Sequence, residues 1–166
     1  MTTSTKTVLV ALGTRPEAIK LAPVIREIQK STSLNSFCVA TAQHRGLLDQ
    51  VLNFFNIQPN LDLNLMQSNQ DLFYTTEKCL ESMKEILASV NPSLVVVQGD
   101  TATAFSTALA AYYFKIPIAH VEAGLRTGDI YAPWPEEMNR RVVGRLASVH
   151  FAPTETAKES LLKEGV

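Results

Sequence analysis

A polar segment directly after an apolar run contains the side chains best suited to chemistry. It extends from His120 to Arg141 and brings acids, arginines, glycines, an asparagine and the single Trp together. Core packing rarely needs this mixture in a loop, because buried charges must be paired and glycines cost chain entropy. Polar loops at the end of a strand are where proteins usually handle ligands. The segment is therefore the first candidate for a functional site.

Three carboxylates are predicted to meet at one rim of a sheet. Asp100 directly follows an apolar strand, Glu122 lies in the polar segment and Glu136 opens the next helix. Crowded carboxylates repel one another, which raises at least one pKa and separates acid from base roles, as proton transfer requires. Two structural interpretations compete with this one. Asp100 can cap the helix that follows it, which the residues alone favour, and Glu136 can form a salt bridge with Arg140.

The turn after the first strand, Gly13–Glu17, is a candidate anion site. A helix N-terminus offers free N–H groups and positive potential, Arg15 adds guanidinium donors, and Lys20 follows about one turn later. The turn matches neither the Walker loop nor the GxGxxG fingerprint. The alternative is an ordinary turn between strand and helix in which Arg15 pairs with Glu17.

Strand-like and helix-like patterns alternate along the chain. Strands are predicted over residues 7–12, 37–42, 61–65, 94–98, 116–121 and 150–152. Helices are predicted over residues 16–30, after 45, over 71–89, 103–114 and 136–146, and from 154. Pro23 predicts a kink or an early break in the first helix. The alternation predicts a doubly wound α/β fold with a parallel sheet, whose ligands bind at the carboxyl ends of strands.

Composition excludes several classes of protein. The chain has 166 residues, 46% of them hydrophobic, and a net charge of −1, which fits a folded domain and leaves no broad nucleic-acid footprint. No apolar stretch approaches the roughly 20 residues that span a bilayer, and no signal-peptide pattern is present. Cys38 and Cys79 fit reduced core residues, so we expect a cytoplasmic protein with no membrane partner. No set of residues has the spacing of a metal cage.

Four segments, taken in chain order, resemble the non-hydrolysing UDP-N-acetylglucosamine 2-epimerase family. They are residues 13–20, 41–45, 99–101 and 120–140. The resemblance implies a Rossmann-like domain equivalent to the N-terminal domain of a GT-B-type two-domain fold. Family members have more than twice this length, so residues 1–166 are expected to form one domain, with the C-terminal nucleotide-binding domain absent.

The resemblance also implies an activity. Family members are isomerases that interconvert UDP-N-acetylglucosamine and UDP-N-acetylmannosamine by inverting C2 of the sugar, without a cofactor. They eliminate UDP to give 2-acetamidoglucal and add it back with the proton on the opposite face. The pathway this suggests is polysaccharide biosynthesis.

Functional residues carry over only where the segments match. Asp100, Glu122 and Glu136 match the catalytic carboxylates. The positions expected to contact the nucleotide sugar are Arg15, Lys20, Asn139 and Arg140. Gln43 and His44 match a loop that contributes to a second, regulatory site in bacterial members. The expected partners are UDP-N-acetylglucosamine, UDP, and either a second copy of the chain or a complementary C-terminal half.

We expect the isolated chain to be inactive, because the absent half would hold most of the leaving group. Two alternatives remain open at this point. The chain can be a non-catalytic module that binds a nucleotide sugar or docks to a partner half. It can also be half of a hydrolysing relative, which releases UDP and free N-acetylmannosamine.

Overall fold

The computed structural model describes residues 5–41, 45–65, 67 and 70–166. Strands and helices alternate within these ranges, as the sequence pattern predicts. The strands are β1 (Lys6–Leu12), β2 (Leu34–Ala40), β3 (Leu61–Asp62), β4 (Leu94–Gln98), β5 (Ile118–Val121) and β6 (Val149–Phe151). The helices are α1 (Arg15–Lys30), α2 (Arg45–Phe54), α3 (Leu72–Val90), α4 (Ala102–Tyr113), α5 (Glu136–Leu146) and α6 (Glu155–Lys163).

The six strands form one parallel sheet in the order β3-β2-β1-β4-β5-β6. This is the order of the doubly wound fold, in which ligands bind where the strand order reverses. The reversal falls between β1 and β4, which are hydrogen-bonded neighbours. The predicted fold class is therefore confirmed, and the turns after β1 and β4 lie side by side.

Two apolar clusters cover the two faces of the sheet, because successive side chains of a strand point to opposite sides. Val10 and Leu12 of β1 belong to the cluster that contains Ile25 of α1. Leu9 of β1 belongs to the other cluster, with Met83 of α3. Burial on both faces explains why the strands read as continuous apolar runs.

Helix α1 continues through Pro23 to Lys30, so of the two predicted outcomes, a kink or an early break, the early break is wrong. An internal proline costs about 3 kcal/mol in a helix interior. Leu21, Ala22 and Ile25 are fully buried on either side of it. We attribute the continuity of α1 to this packing. Among the described residues, no helix is both long enough and apolar enough to cross a bilayer.

Candidate functional site

Those predicted site residues that the structure describes gather at the carboxyl ends of β1, β4 and β5, beside the reversal of strand order. Gly13 is the tightest point of this rim. A Cβ at Gly13 would lie 2.3 Å from the hydroxyl oxygens of both Thr41 and Thr103. These two hydroxyls hydrogen-bond to each other at 2.8 Å. A residue without a side chain therefore lets β1 turn into α1 against its neighbours.

Asp100 lies in the turn after β4 and faces the first turns of α5. Its carboxylate pairs with the Arg140 guanidinium, and Asn139 Nδ2 donates to the Asp100 carbonyl oxygen at 2.8 Å. Burial raises the pKa of Asp100, Arg140 opposes that rise, and the charges of Glu136 and Glu122 add to it. Asp100 is thus close enough to both other acids for their charges to act on it, in line with the expected convergence.

The interpretation of Asp100 as a helix cap is wrong. The N-cap of α4 is Thr101, whose Oγ1 accepts a hydrogen bond from the Ala104 amide at 3.0 Å. The Asp100 carboxylate turns instead toward Arg140, where a charged donor offers a stronger hydrogen bond than a backbone amide does. Asp100 is therefore available to the site.

The predicted salt bridge between Glu136 and Arg140 is also not formed. Arg140 pairs with Asp100, and its Nη1 lies 3.4 Å from Oε2 of Glu137. Glu137 is fully buried and also accepts from Arg141 Nε at 2.9 Å. Because other acids occupy the guanidinium, Glu136 stays at the rim, partly exposed.

Glu122 lies in the turn after β5 and binds the cation predicted from the first helix. Lys20 Nζ lies 2.5 Å from Oε1 and 2.6 Å from Oε2 of Glu122, and Gln98 Nε2 donates to the same carboxylate. The backbone of Glu122 is left-handed, with φ of 63°. The sequence analysis missed Gln98, although a polar residue that ends an apolar strand was a usable signal.

The amides at the start of α1 are not all free. Oε2 of Glu17 accepts from the amides of Gly13 at 2.9 Å and Thr14 at 2.7 Å, so the expectation of free donors is wrong for both. Glu17 is buried, whereas Arg15 is exposed, so the alternative pairing of Arg15 with Glu17 is also wrong. The spacing of Thr14 and Glu17 is that of a capping box, which is a sequence signal for this contact.

A groove of about 1190 Å³ lies along this rim, between α5 and the N-terminal end of α3. Asp100, Glu136 and Asn139 line it on one side, together with the exposed Trp134. Its opposite side includes Phe73. The groove is large enough for a small-molecule ligand and has acidic groups at its edge.

Two predictions cannot be placed on this rim. Gln43 and His44, as well as Ala42 at the predicted end of the second strand, lie outside the described residues.

Within residues 5–41, 45–65, 67 and 70–166, no group of three or more His, Cys, Asp or Glu side chains is placed to hold a metal ion.

His120 contacts the backbone of the turn that carries Asp100. It is fully buried in β5, and its Nε2 hydrogen-bonds the carbonyl oxygen of Gly99 at 2.8 Å, next to Asp100. The Nδ1 atom is buried and has no hydrogen-bond partner among the residues that the structure describes. The pKa of His120 is lowered to about 4, mainly by burial; the hydrogen bond to Gly99 opposes this fall, and the nearby His150 contributes to it. We conclude that His120 is a neutral donor near pH 7.

Comparison with known proteins gives consistent results. The sequence model of the UDP-N-acetylglucosamine 2-epimerase family matches residues 26–166. A probable UDP-N-acetylglucosamine 2-epimerase from Ralstonia solanacearum is 55% identical over 161 residues, covering 97% of this chain and 43% of that protein. The crystal structure of UDP-GlcNAc 2-epimerase from Neisseria meningitidis bound to UDP-GlcNAc superimposes with a TM-score of 0.93 at 51% identity. That match covers 96% of this chain and 43% of the Neisseria chain.

A more distant structure shares the fold alone. MurG of Acinetobacter baumannii superimposes with a TM-score of 0.60 at 19% identity, covering 88% of this chain and 40% of that one. The architecture corresponds to the N-terminal domain of a GT-B-type fold. The chain spans less than half the length of the relatives it matches. By the extent of the family match, the chain belongs to the UDP-N-acetylglucosamine 2-epimerase family.

Proposed function

We propose that this chain is the acid–base half of a UDP-N-acetylglucosamine 2-epimerase, which inverts C2 of the sugar in UDP-N-acetylglucosamine. One observation supports this most strongly: the charges of Glu122 and Glu136 both act on Asp100, and Glu122 is paired with the cation of Lys20. The related Neisseria protein was crystallised with UDP-GlcNAc, which supports the substrate class.

The proposed reaction needs groups that exchange protons on two faces of the sugar. When the C1–O bond breaks, UDP leaves with that electron pair, and the C2–H electrons form the C1=C2 bond of 2-acetamidoglucal. One carboxylate takes the C2 proton. For re-addition, a protonated carboxylate on the other face delivers a proton to C2 while UDP attacks C1. Several acids at one rim can serve both faces.

The electrostatics suggest which acid carries a proton. Because burial and two neighbouring carboxylates raise the pKa of Asp100, its protonated form is more accessible than that of an exposed aspartate. Asn139 and Arg140, predicted as substrate contacts, hold Asp100 in place. We therefore assign Asp100 to proton transfer and the other two residues to its orientation.

Cations at the same rim suit the diphosphate. Lys20 is partly exposed in its ion pair with Glu122, and the exposed Arg15 lies on the first turn of the same helix. A diphosphate that develops charge as it leaves is stabilised by such groups. We propose Arg15 and Lys20 as its contacts from this half, while Gln43 and His44 stay predicted members of a regulatory site.

We further propose that the chain is one Rossmann-like domain and that its partner is a C-terminal half. The groove is open, so a leaving group bound to the isolated chain would lie largely in solvent. We therefore expect negligible turnover from the isolated chain. A second copy of the chain is the other proposed partner. Light scattering after size-exclusion chromatography distinguishes a homodimer from a monomer.

The compartment is also part of the proposal. Cys38 and Cys79 are free and buried, and burial raises the pKa of each thiol to about 12, so neither is a reactive thiolate. Unpaired cysteines of this kind fit the reducing conditions of a cytoplasm. Fractionation of the source cell tests this assignment.

A fusion protein tests the activity. This chain is joined to the C-terminal part of the Ralstonia solanacearum relative, and the fusion is incubated with UDP-N-acetylglucosamine in D2O. Proton NMR is expected to show the manno epimer with deuterium at C2. Free N-acetylmannosamine would instead indicate the hydrolysing alternative. A folded fusion that gives neither product contradicts the proposal.

Matched variants of the fusion test the acids. Asp100→Asn and Glu122→Gln are each expected to lower kcat by about 10²- to 10⁴-fold, because each removes a proton-transfer group. Glu27→Gln is the control, since Glu27 is exposed and forms an exposed ion pair with Lys30 on the same helix. Retention of the rate in both carboxamide variants would show that these acids are structural.

A further inference from the structure

Glu17 is a buried carboxylate that the proposed chemistry does not use. It lies on the first turn of α1 with an exposed fraction of 1%. Burying a charge is unfavourable unless its oxygens are hydrogen-bonded, and burial does raise the pKa of Glu17. Neutral residues of similar volume often serve stability equally well at such positions. A buried charge next to a candidate active site therefore raises the question of its role.

The contacts of Glu17 connect two different turns. Oε2 accepts from the amides of Gly13 and Thr14, in the turn after β1. Oε1 accepts from Thr101 Oγ1 at 2.7 Å, in the turn after β4. Because the two strands are neighbours at the reversal of strand order, this one side chain bridges the two turns that meet there.

Each bridged turn carries part of the proposed machinery. The first leads into the helix that holds Lys20, and the second contains Asp100 next to Thr101. Thr101 Oγ1 already accepts the capping hydrogen bond from α4, so its single hydrogen is directed to Glu17. The orientation of the Thr101 hydroxyl, and with it the adjacent turn, is thus defined from both sides.

We infer that Glu17 is a positioning residue: its carboxylate holds the turn that carries Asp100 in register with the turn that leads to Lys20. The catalytic effect of this positioning rests on the proposed function. The hydrogen bonds that Glu17 accepts require both of its carboxylate oxygens to act as acceptors. Glutamine at this position has only one acceptor oxygen, so it can keep the bonds from the two amides but loses the bond donated by the Thr101 hydroxyl. Its NH2 group can at most donate to the remaining lone pair of Thr101 Oγ1, which reverses the bond and leaves the hydroxyl hydrogen without this acceptor.

The test compares kinetics in the fusion protein. Glu17→Gln is expected to lower kcat by about 10- to 100-fold, a typical effect of misplacing a reacting group, with a much smaller change in KM. Ile25→Val is the matched control, because it trims the buried face of the same helix without touching either turn. If Glu17 only stabilised the fold, both variants would keep their kcat at temperatures where they remain folded.

A second variant approaches the same bond from the other turn. Thr101→Val removes both the bond to Glu17 and the N-cap of α4 but leaves Glu17 on its two amides, so it remains informative if Glu17→Gln does not fold. The double variant separates the two effects, because Glu17→Gln leaves the cap in place. When both fold, the double variant should lose no more activity than the more damaging single variant, because both changes remove the same bond. Fully additive losses in kcat, or an unchanged kcat in Thr101→Val, would overturn the inference.

Backbone NMR on the 166-residue chain separates this inference from the proposed function. Glu17→Gln should shift the amide signals of Asp100 and Thr101, whereas Ile25→Val should leave them in place. An inactive wild-type fusion would count against the proposed function alone, and these signals would still decide the role of Glu17. Unmoved Asp100 and Thr101 signals in a folded Glu17→Gln chain would refute it.

Discussion

Replacement of His120 by glutamine should change how the stability of this chain depends on pH. The neutral imidazole donates from Nε2 to the Gly99 carbonyl, and Nδ1 is buried with no partner in the described part of the chain. Protonation would place an unpaired N–H and a positive charge at Nδ1 in the interior. A glutamine amide can still donate to the carbonyl of Gly99, but it does not titrate.

The size of the effect follows from the pKa. Burial lowers the pKa of His120 from 6.5 to about 4. One pKa unit corresponds to about 1.36 kcal/mol, so the complete fall in pKa corresponds to about 3 kcal/mol of the free energy of unfolding. The unfolded chain takes up this proton below about pH 6.5, whereas the folded chain does so only near pH 4. Stability from His120 is therefore present above about pH 6.5 and is lost as the pH falls toward about 4.

Urea unfolding at a series of pH values measures this dependence. As the pH falls from about 6.5 to about 4.5, the free energy of unfolding of the wild-type chain should drop, relative to that of His120→Gln, by up to about 1.4 kcal/mol for each pH unit. Glu17 also has a shifted pKa, but it is present in both chains, so its contribution cancels in the comparison. A constant difference between the two chains over this range would refute the reasoning.

Two further substitutions test the packing around the site. Gly124→Ala should lower the free energy of unfolding by at least about 2 kcal/mol, because φ is 90° and the new Cβ would lie 2.2 Å from the Ala157 carbonyl oxygen; urea unfolding measures this. Asp71→Ala should cost about 1 kcal/mol, since Asp71 caps α3 by accepting from the Tyr74 amide at 2.7 Å; thermal unfolding measures this, and an unchanged Tm would contradict the cap.

Local patterns were enough to predict most of the elements. Strand β4 and helix α5 were predicted with the bounds that the structure has, because an apolar run and a helical apolar period are properties of the segment itself. The effect of Pro23 was harder to predict, because the free-energy cost of a proline inside a helix competes with the gain from burying side chains against residues distant in sequence. Whether a helix survives a proline depends on tertiary packing that a local pattern does not contain.

That Asp100 and the start of α5 meet at one rim was predictable from the sequence, but the pairings of the side chains there were not. Asp100 and Thr101 are adjacent and both suit an N-cap, so the choice between them depends on Arg140, which arrives from α5. The pair of Glu136 and Arg140 had favourable helical spacing, yet acids from elsewhere occupy the guanidinium. Such competition depends on contacts between distant parts of the chain.

The ion pair between Lys20 and Glu122 links the binding of an anion to the surroundings of a proposed catalytic acid. In the proposed reaction, the diphosphate and the Glu122 carboxylate compete for the same ammonium group, and the diphosphate carries more charge. If Lys20 turns to the diphosphate, Glu122 loses this counter-ion and retains the hydrogen bond from Gln98. Because Lys20 comes from the helix after β1 and Glu122 from the turn after β5, arrival of the leaving group would break a contact between two separate segments of the rim.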